Sequence, residues 1–324
     1  MKMNSSKMLF ITTMMMGIFL TISSNNWIMM WCGLEISLIS FIPLIISKML
    51  ISAESSIKYF IVQSISSSML MLSMLVMIMK GDYNYDFMLT TSLLIKLGVV
   101  PFHNWVLTVI EGLEFIVAMM MLTVNKLAPM TLLSYVSKSM MTIVGLTILI
   151  GSLLGLNQNS IKKLIGYSSI FNMGLILTII KFNLMWMLYL MMYSIMLFMM
   201  FLILKKKKIN FINQMIFSDS IVNKISLWVN MLSMGGMPPM MGFSIKYMVM
   251  IYMMNVKIYM LIILIMFTSM MVMLFYLRIM FLSMLNNHLI NKSKMFILNE
   301  ISSWTIMING FSLPIILTLK AYMV

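Results

Sequence analysis

The chain is written as long apolar runs separated by short polar breaks. A helix of about 20 apolar residues spans the hydrocarbon core of a bilayer. The runs predict helices over 8–23, 27–47, 57–79, 87–106, 113–136, 139–157, 161–181, 184–204, 225–254, 257–284 and 302–322, eleven in all, with the ninth long enough to be tilted or broken. The expected fold class is therefore an all-α polytopic membrane protein forming a single membrane domain over 1–324.

The polar breaks carry an orientation signal. With the N-terminus and every even-numbered exit placed on one side, that side collects thirteen lysines: Lys2, Lys7, Lys48, Lys58, Lys162, Lys163, Lys205, Lys206, Lys207, Lys208, Lys224, Lys292 and Lys294. The other side collects five, Lys80, Lys138, Lys181, Lys257 and Lys320. By the positive-inside rule the bias supports the span count and puts the N-terminus on the electrically negative side, the matrix in a mitochondrion. The polar insert 205–224 opens on four lysines; it reads as a positive-inside loop, with a docking surface or lipid-headgroup contact as the alternative.

Two predicted spans are interrupted. The fourth contains Gly98 and Pro101, and the ninth contains Gly235, Gly236, Pro238 and Pro239. Proline removes a backbone donor and clashes with the carbonyl four residues back, so each helix should kink or break there. A break is tolerated at membrane depth where the freed carbonyls meet a neighbour or a water-filled cavity. The two breaks lie five helices apart, each with a lysine nearby. This predicts inverted five-helix repeats, 1–136 and 139–284, followed by a terminal helix 302–322, with a transport path at the breaks. The alternative is that these residues only shape helix packing.

Composition sharpens the picture. Of 324 residues 62% are hydrophobic and 9% charged, with a mean hydropathy of +1.03. A soluble domain carries about 25% charged residues, so little is left for any domain outside the membrane. The net charge of +14 is ascribed to loops facing anionic lipid rather than to nucleic acid. Cys32 is the lone cysteine, and His103 and His288 do not pair as haem ligands; no redox cofactor and no metal site are expected in this chain. The 49 Met, against one Arg and four Ala, point to an AT-rich genome that reads ATA as Met, as animal mitochondria do; flexible packing filler is the other reading of so much Met. Lys2 and Lys7 before an apolar stretch resemble a signal peptide, but no small-residue cleavage site follows, as expected for a protein made inside its own organelle.

The candidate chemistry lies in charges isolated within the spans: Glu35, Lys96, Lys126 and Lys246. Each costs roughly 2.5–3.5 kcal/mol to insert at bilayer depth, and intramembrane ionisable groups line ion or proton paths. Three lysines and one glutamate suggest protons. A carboxyl alone at this depth takes up a proton, whereas Glu35 beside Lys96 lets both stay charged. Separating that pair frees the lysine proton for a neighbour, with Lys126 as the next station. A fixed ion pair locking the second helix to the fourth is the competing reading. Ser64, Ser67 and Ser68 on the third helix, and Ser168 and Asn172 on the seventh, offer either a hydrated route or interhelical bonds. His103 could shuttle protons or cap the carbonyls of the break. Arg278 is expected to snorkel to headgroups.

The segments Trp31–Pro43, Lys96–Trp105, Asn125–Met130, Leu156–Ser169 and Gly235–Lys246 carry a resemblance through nearly the whole chain. It resembles the second-subunit family of mitochondrial NADH:ubiquinone oxidoreductase, respiratory complex I, in an insect-like form; that family is similar to cation/proton antiporter subunits. The resemblance implies eleven helices, three having been lost at the N-terminus of animal forms, and a place in the mitochondrial inner membrane. It implies a first half-channel at Glu35 and Lys96, a central relay at Lys126, and the lysine of the second half-channel at Lys246. NADH, FMN, iron–sulfur clusters and ubiquinone are implied on partner subunits, and neighbouring antiporter-like subunits and anionic lipid, cardiolipin among it, as partners. Two departures stand out: Leu107-Thr108 where Pro-Glu is common, and Asn172 where a histidine is frequent, so no histidine relay is implied on the seventh helix. The expected function is a proton-translocating membrane subunit coupled to electron transfer elsewhere. A stand-alone cation/proton antiporter and a non-pumping scaffold of the same complex are the alternatives.

Overall fold

A computed structural model describes residues 5–47, 50–80, 86–136, 140–217, 221–284 and 300–310. Within them the chain is helical, with an isolated antiparallel bridge between Ser160 and Phe211. It divides into two compact units, Met1–Ile143 and Val144–Val324.

The first unit holds α1 (Ser5–Ser23), α2 (Trp27–Ile45), α3 (Leu50–Lys80), α4 (Asp86–Leu97), α5 (Asn104–Gly112), α6 (Phe115–Leu122), α7 (Val124–Val136) and the first residues of α8 (Met141–Gly155). α1 lies along α2, α3 packs on α2, α4 and α5, and α7 packs on α4, α6, α1 and α2. The rest of α8 belongs to the second unit, with α9 (Ile161–Thr178), α10 (Asn183–Lys207), a 3-10 turn (Ile212–Phe217), α11 (Ile221–Gly235), α12 (Met241–Asn255), α13 (Tyr259–Met284) and α14 (Glu300–Gly310). There α11 packs on α13, α14, α10 and α12, and α12 touches α9, α10 and α13.

Polarity is distributed in the manner of a protein whose solvent is lipid. On α13, Met260, Ile263, Phe267, Met270, Leu274 and Phe281 recur at helical spacing and are all exposed, Ile263 to 66%. Lys96, Lys126 and Lys246 are no more than 7% exposed. Water would favour the reverse arrangement; a bilayer favours this one, because lipid tails accept apolar side chains and reject charges. Among the described residues six helical segments are long and apolar enough to cross: Ser5–Ser23, Trp27–Ile45, Leu50–Met79, Phe115–Val136, Asn183–Lys207 and Tyr259–Leu282. Of the expected terminal helix, Glu300–Gly310 is helical and 311–322 lies outside the described residues, as do Lys2, Lys48, Lys138, His288, Lys292, Lys294 and Lys320.

Three local expectations change. The fifth predicted span is two helices, with Thr123 (φ −122, ψ −72) between α6 and α7; Pro129 in α7 cannot donate to the Asn125 carbonyl, so the first turn of α7 is weakened. On α3 the buried polar residues are Ser52, Ser55, Ser56, Gln63, Ser66, Ser67 and Ser73, while Ser68 is exposed. The hydroxyls of Ser64, Ser66, Ser67 and Ser68 each donate to a carbonyl three residues back, so their protons are spent on their own helix.

Arg278 is anchored by the chain itself. Its guanidinium donates to the carbonyls of Leu156 (2.7 Å) and Gln158 (3.3 Å) and to Asn159 Oδ1 (3.4 Å). It thereby clamps the α8–α9 turn, which pairs with the chain after α10 through Ile161 N–H to Asn210 O and Ile212 N–H to Asn159 O. Arg278→Gln should speed hydrogen exchange at the Ile161 and Ile212 amides by about tenfold, from loss of a charge-assisted bond worth about 1.5 kcal/mol. Unchanged exchange there, read by mass spectrometry on the purified protein, would show that the clamp carries no stability.

Candidate functional site

Lys96 is delivered by the last turn of α4. The helix stops one residue later because Gly98 sits at φ +70 and residues 98–103 turn before α5 begins. A Cβ at Gly98 would lie 2.2 Å from Val106 Cγ2, so both space and backbone conformation require glycine. The carbonyls left at the end of α4 find side-chain donors. Trp105 Nε1 donates to Ile95 O (3.1 Å), and Gln63 Nε2 to Lys96 O (3.4 Å). With that carbonyl served by Gln63, the Lys96 ammonium is left to face elsewhere.

It faces a cavity of about 30 Å³, on whose wall Lys126 also stands. Tyr59, Gln63, Trp105 and Asn125 supply further polar lining. A buried site needs roughly 10–15 Å³ per water and two to four polar partners, so this one has room for about two. Asn125 presents its amide nitrogen and oxygen with no protein hydrogen bond, and Glu35 Oε1 is likewise buried and unpartnered. Buried polar atoms in that condition cost about 1–3 kcal/mol each unless water serves them. The arrangement is a charged, hydratable chamber whose apolar lining includes Leu34, Leu38 and Val106.

Glu35 and Lys96 lie close enough to interact through their charges, but among the described residues they form no ion pair. Glu35 also acts on Tyr59, whose ring packs against Phe41 at 5.2 Å and Trp105 at 6.0 Å. Pro101 lies in the turn between α4 and α5. His103 is buried at the start of α5, and its side chain makes no capping bond there. Tyr59, Gln63 and Asn125 were not read as site residues from sequence. Gln63 carried a signal, as an amide inside an apolar run; Tyr59 carried none, because only the fold aims it at the chamber.

The second unit repeats the device with a different outcome. α11 ends at Gly235, Gly236 takes φ +86, Pro238 and Pro239 carry the chain to α12, and Lys246 lies on that helix. Its ammonium turns back and donates to the Gly235 carbonyl, which the break has released from helical bonding. The Phe171 ring lies 5.4 Å from the same nitrogen, a cation–π contact. Asn172, next along α9, accepts a hydrogen bond from the Tyr189 hydroxyl (2.8 Å). Among the described residues no three His, Cys, Asp or Glu side chains gather as metal ligands do.

Gly235 and Gly236 differ in what they tolerate. A Cβ at Gly236 would fall 2.7 Å from Lys246 Nζ and 2.9 Å from its Cδ, whereas at Gly235 it would meet only ordinary contacts, the nearest being Met273 Cα at 3.6 Å. Gly236→Ala also forces a positive φ on an L-residue, costing about 1–2 kcal/mol. Gly236→Ala should therefore lower the amount of folded protein in the membrane several-fold, with Gly235→Ala close to wild type. Equal levels of the two would remove the argument for a built seat around Lys246.

Comparison with known proteins follows the same lines. Residues 24–272 match the family described as NADH:quinone oxidoreductase/Mrp antiporter, transmembrane. The NADH-ubiquinone oxidoreductase chain 2 of Anopheles gambiae is 38% identical over 259 residues, covering 75% of this chain and 76% of that one. That of Locusta migratoria is 34% identical over 299 residues, covering 88% and 87%. Among solved structures, a chain of respiratory complex I from Thermus thermophilus with bound aureothin superposes with a TM-score of 0.81 at 20% identity, covering 96% of this chain and 78% of that one.

Proposed function

The chain belongs to the NADH:quinone oxidoreductase/Mrp antiporter family of membrane proteins, and from that premise we propose that protons move through it on Glu35, Lys96, Lys126 and Lys246. It is a helical, multi-pass membrane subunit of proton-pumping NADH–ubiquinone oxidoreductase, insect-like in sequence, and other subunits of that complex are its partners. One observation carries the proposal: Lys96 and Lys126, thirty residues apart in sequence, line a single hydratable chamber with Asn125 unpartnered beside them. Two ammonium groups sharing such a chamber repel each other, so a proton added to one favours release from the other. Glu35 sets the balance from α2 through its charge on Lys96. The unpaired geometry of Glu35 and Lys96 suits the open half of the switch.

In this reading 1–136 and 139–284 are five-helix repeats of opposite topology, followed by a terminal helix, within eleven spans. The breaks at Gly98 and Gly236, each followed by proline and attended by a buried lysine, support that layout. Lys246, seated on the Gly235 carbonyl, titrates in the second repeat, and His103 is a candidate for proton entry at the first break. The location in the mitochondrial inner membrane with a matrix-side N-terminus is supported by the lysine bias of the loops and the Met-rich composition. The same loops would meet anionic lipid. Electron transfer, with NADH, FMN, iron–sulfur clusters and ubiquinone, falls to partner subunits.

Lys126→Met keeps most of the length and the apolar body of the side chain and removes its proton. It should leave the complex assembled, co-migrating with NADH oxidation on a native gel, and lower the number of protons pumped per electron. A normal proton-to-electron ratio in that variant would sink the relay and leave the chain as a scaffold.

A further inference from the structure

The second unit contains a second polar cluster, made largely of hydroxyls. Tyr189 and Tyr193 stand one helical turn apart on α10, facing Ser168, Ser169 and Asn172 of α9, with Tyr276 of α13 beside them. All six are buried, Tyr193 and Tyr276 to 1% exposure. Burial of this much hydroxyl needs a reason, since each unserved group at this depth is costly.

Interhelical bonding supplies only part of that reason. Tyr189 donates to Asn172, but the Tyr193 and Tyr276 oxygens make no hydrogen bond. They nonetheless lie within reach of partners: Tyr193 near Asn172, Ser169 and Tyr276, and Tyr276 near Ser168. The serine protons are committed, Ser168 to Ile165 O and Ser169 to Gly166 O, so toward the tyrosines these serines can only accept. The three tyrosine hydroxyls can each accept and donate, while the Ser168, Ser169 and Asn172 oxygens beside them offer acceptors. Asn172 adjoins Phe171, the ring under the Lys246 ammonium.

We propose that Tyr189, Tyr193 and Tyr276, with Asn172 and bound water, form an uncharged proton-conducting node that serves Lys246. The inference rests on the proposed role of Lys246. A proton arriving on one side is taken by a hydroxyl or water lone pair, and the same oxygen releases its original proton on the other side. Each oxygen ends with the hydrogens it began with, no charge is stored, and rotation of the hydroxyls resets the string. Lys246, once its ammonium leaves the Gly235 carbonyl, gives its proton to the string or takes one from it.

Tyrosine-to-phenylalanine changes delete the oxygens and keep the rings. The test is Tyr193→Phe with Tyr276→Phe in the assembled complex, measured as protons pumped per electron beside Lys246→Met. The expected result is normal assembly with a loss in the ratio equal to that of Lys246→Met, and no further loss when all three changes are combined. A normal ratio in the tyrosine variant with a lowered one in Lys246→Met overturns the node and leaves the role of Lys246 intact. Normal ratios in both overturn that role and the node with it. If the tyrosine variant assembles poorly, Tyr189→Phe alone provides the same comparison; a lower melting temperature with an unchanged ratio would mark the hydroxyls as structural and overturn the proposal.

Discussion

In the absence of water, every backbone group released from a helix must be met by something else in the protein, and in this chain the buried lysines are bound up with that requirement. At the second-unit break the Gly235 carbonyl is met by Lys246 itself. At the first-unit break the carbonyls of Ile95 and Lys96 are met by Trp105 and Gln63. One lysine is thus fixed against backbone, while the other is released to a chamber. The same device, a glycine at positive φ followed by proline, yields two different states of a buried ammonium because the neighbours differ. Desolvation makes each ammonium sensitive to any change in its partner, which is the property a proton-moving group needs.

The chamber of the first unit gains its character from the irregularity of the helices around it. α4 stops beside Lys96, and α7 begins at Val124, two residues before Lys126. A pair of uninterrupted helices would have turned their polar atoms inward on themselves. Instead Asn125 enters the chamber with both polar atoms unused, and Tyr59 and Trp105 form an aromatic wall whose indole nitrogen is already engaged. Tyr59 and Trp105 share the lining of the cavity with both lysines, and in so apolar a setting two like charges repel strongly.

The breaks in the fourth and ninth spans were legible in sequence because proline and glycine act locally, through one missing donor and one permitted backbone angle. Lys96, Lys126 and Lys246 were legible because charge in an apolar run is conspicuous. The break at Thr123 was harder to see: the proline that weakens it lies six residues on, within a helix that otherwise continues. Tyr59 and Gln63 join the chamber from α3, and Tyr193 and Tyr276 meet from α10 and α13. No local pattern announces such meetings, since they depend on how helices rotate against one another. The anchor of Arg278 was hidden for the same reason. Its acceptors, Leu156 and Gln158, lie more than a hundred residues away, and a guanidinium prefers fixed carbonyls to mobile headgroups once geometry offers them.

These features also bear on whether the chain moves protons or only holds its neighbours in place. A scaffold gains rigidity from charges that are paired or replaced by apolar residues of similar volume, since partly satisfied polar networks weaken a core. Here Glu35 and Asn125 each bury a polar atom without a protein partner near Lys96 and Lys126, and Tyr193 and Tyr276 do so in the second unit. Stability alone would select against that pattern. Proton transfer selects for it, because a group that is fully bonded in one state has nothing free to exchange. The unpartnered Asn125 beside Lys96 and Lys126, in a cavity with room for water, is the physical reason to place the proposed proton movement inside this subunit.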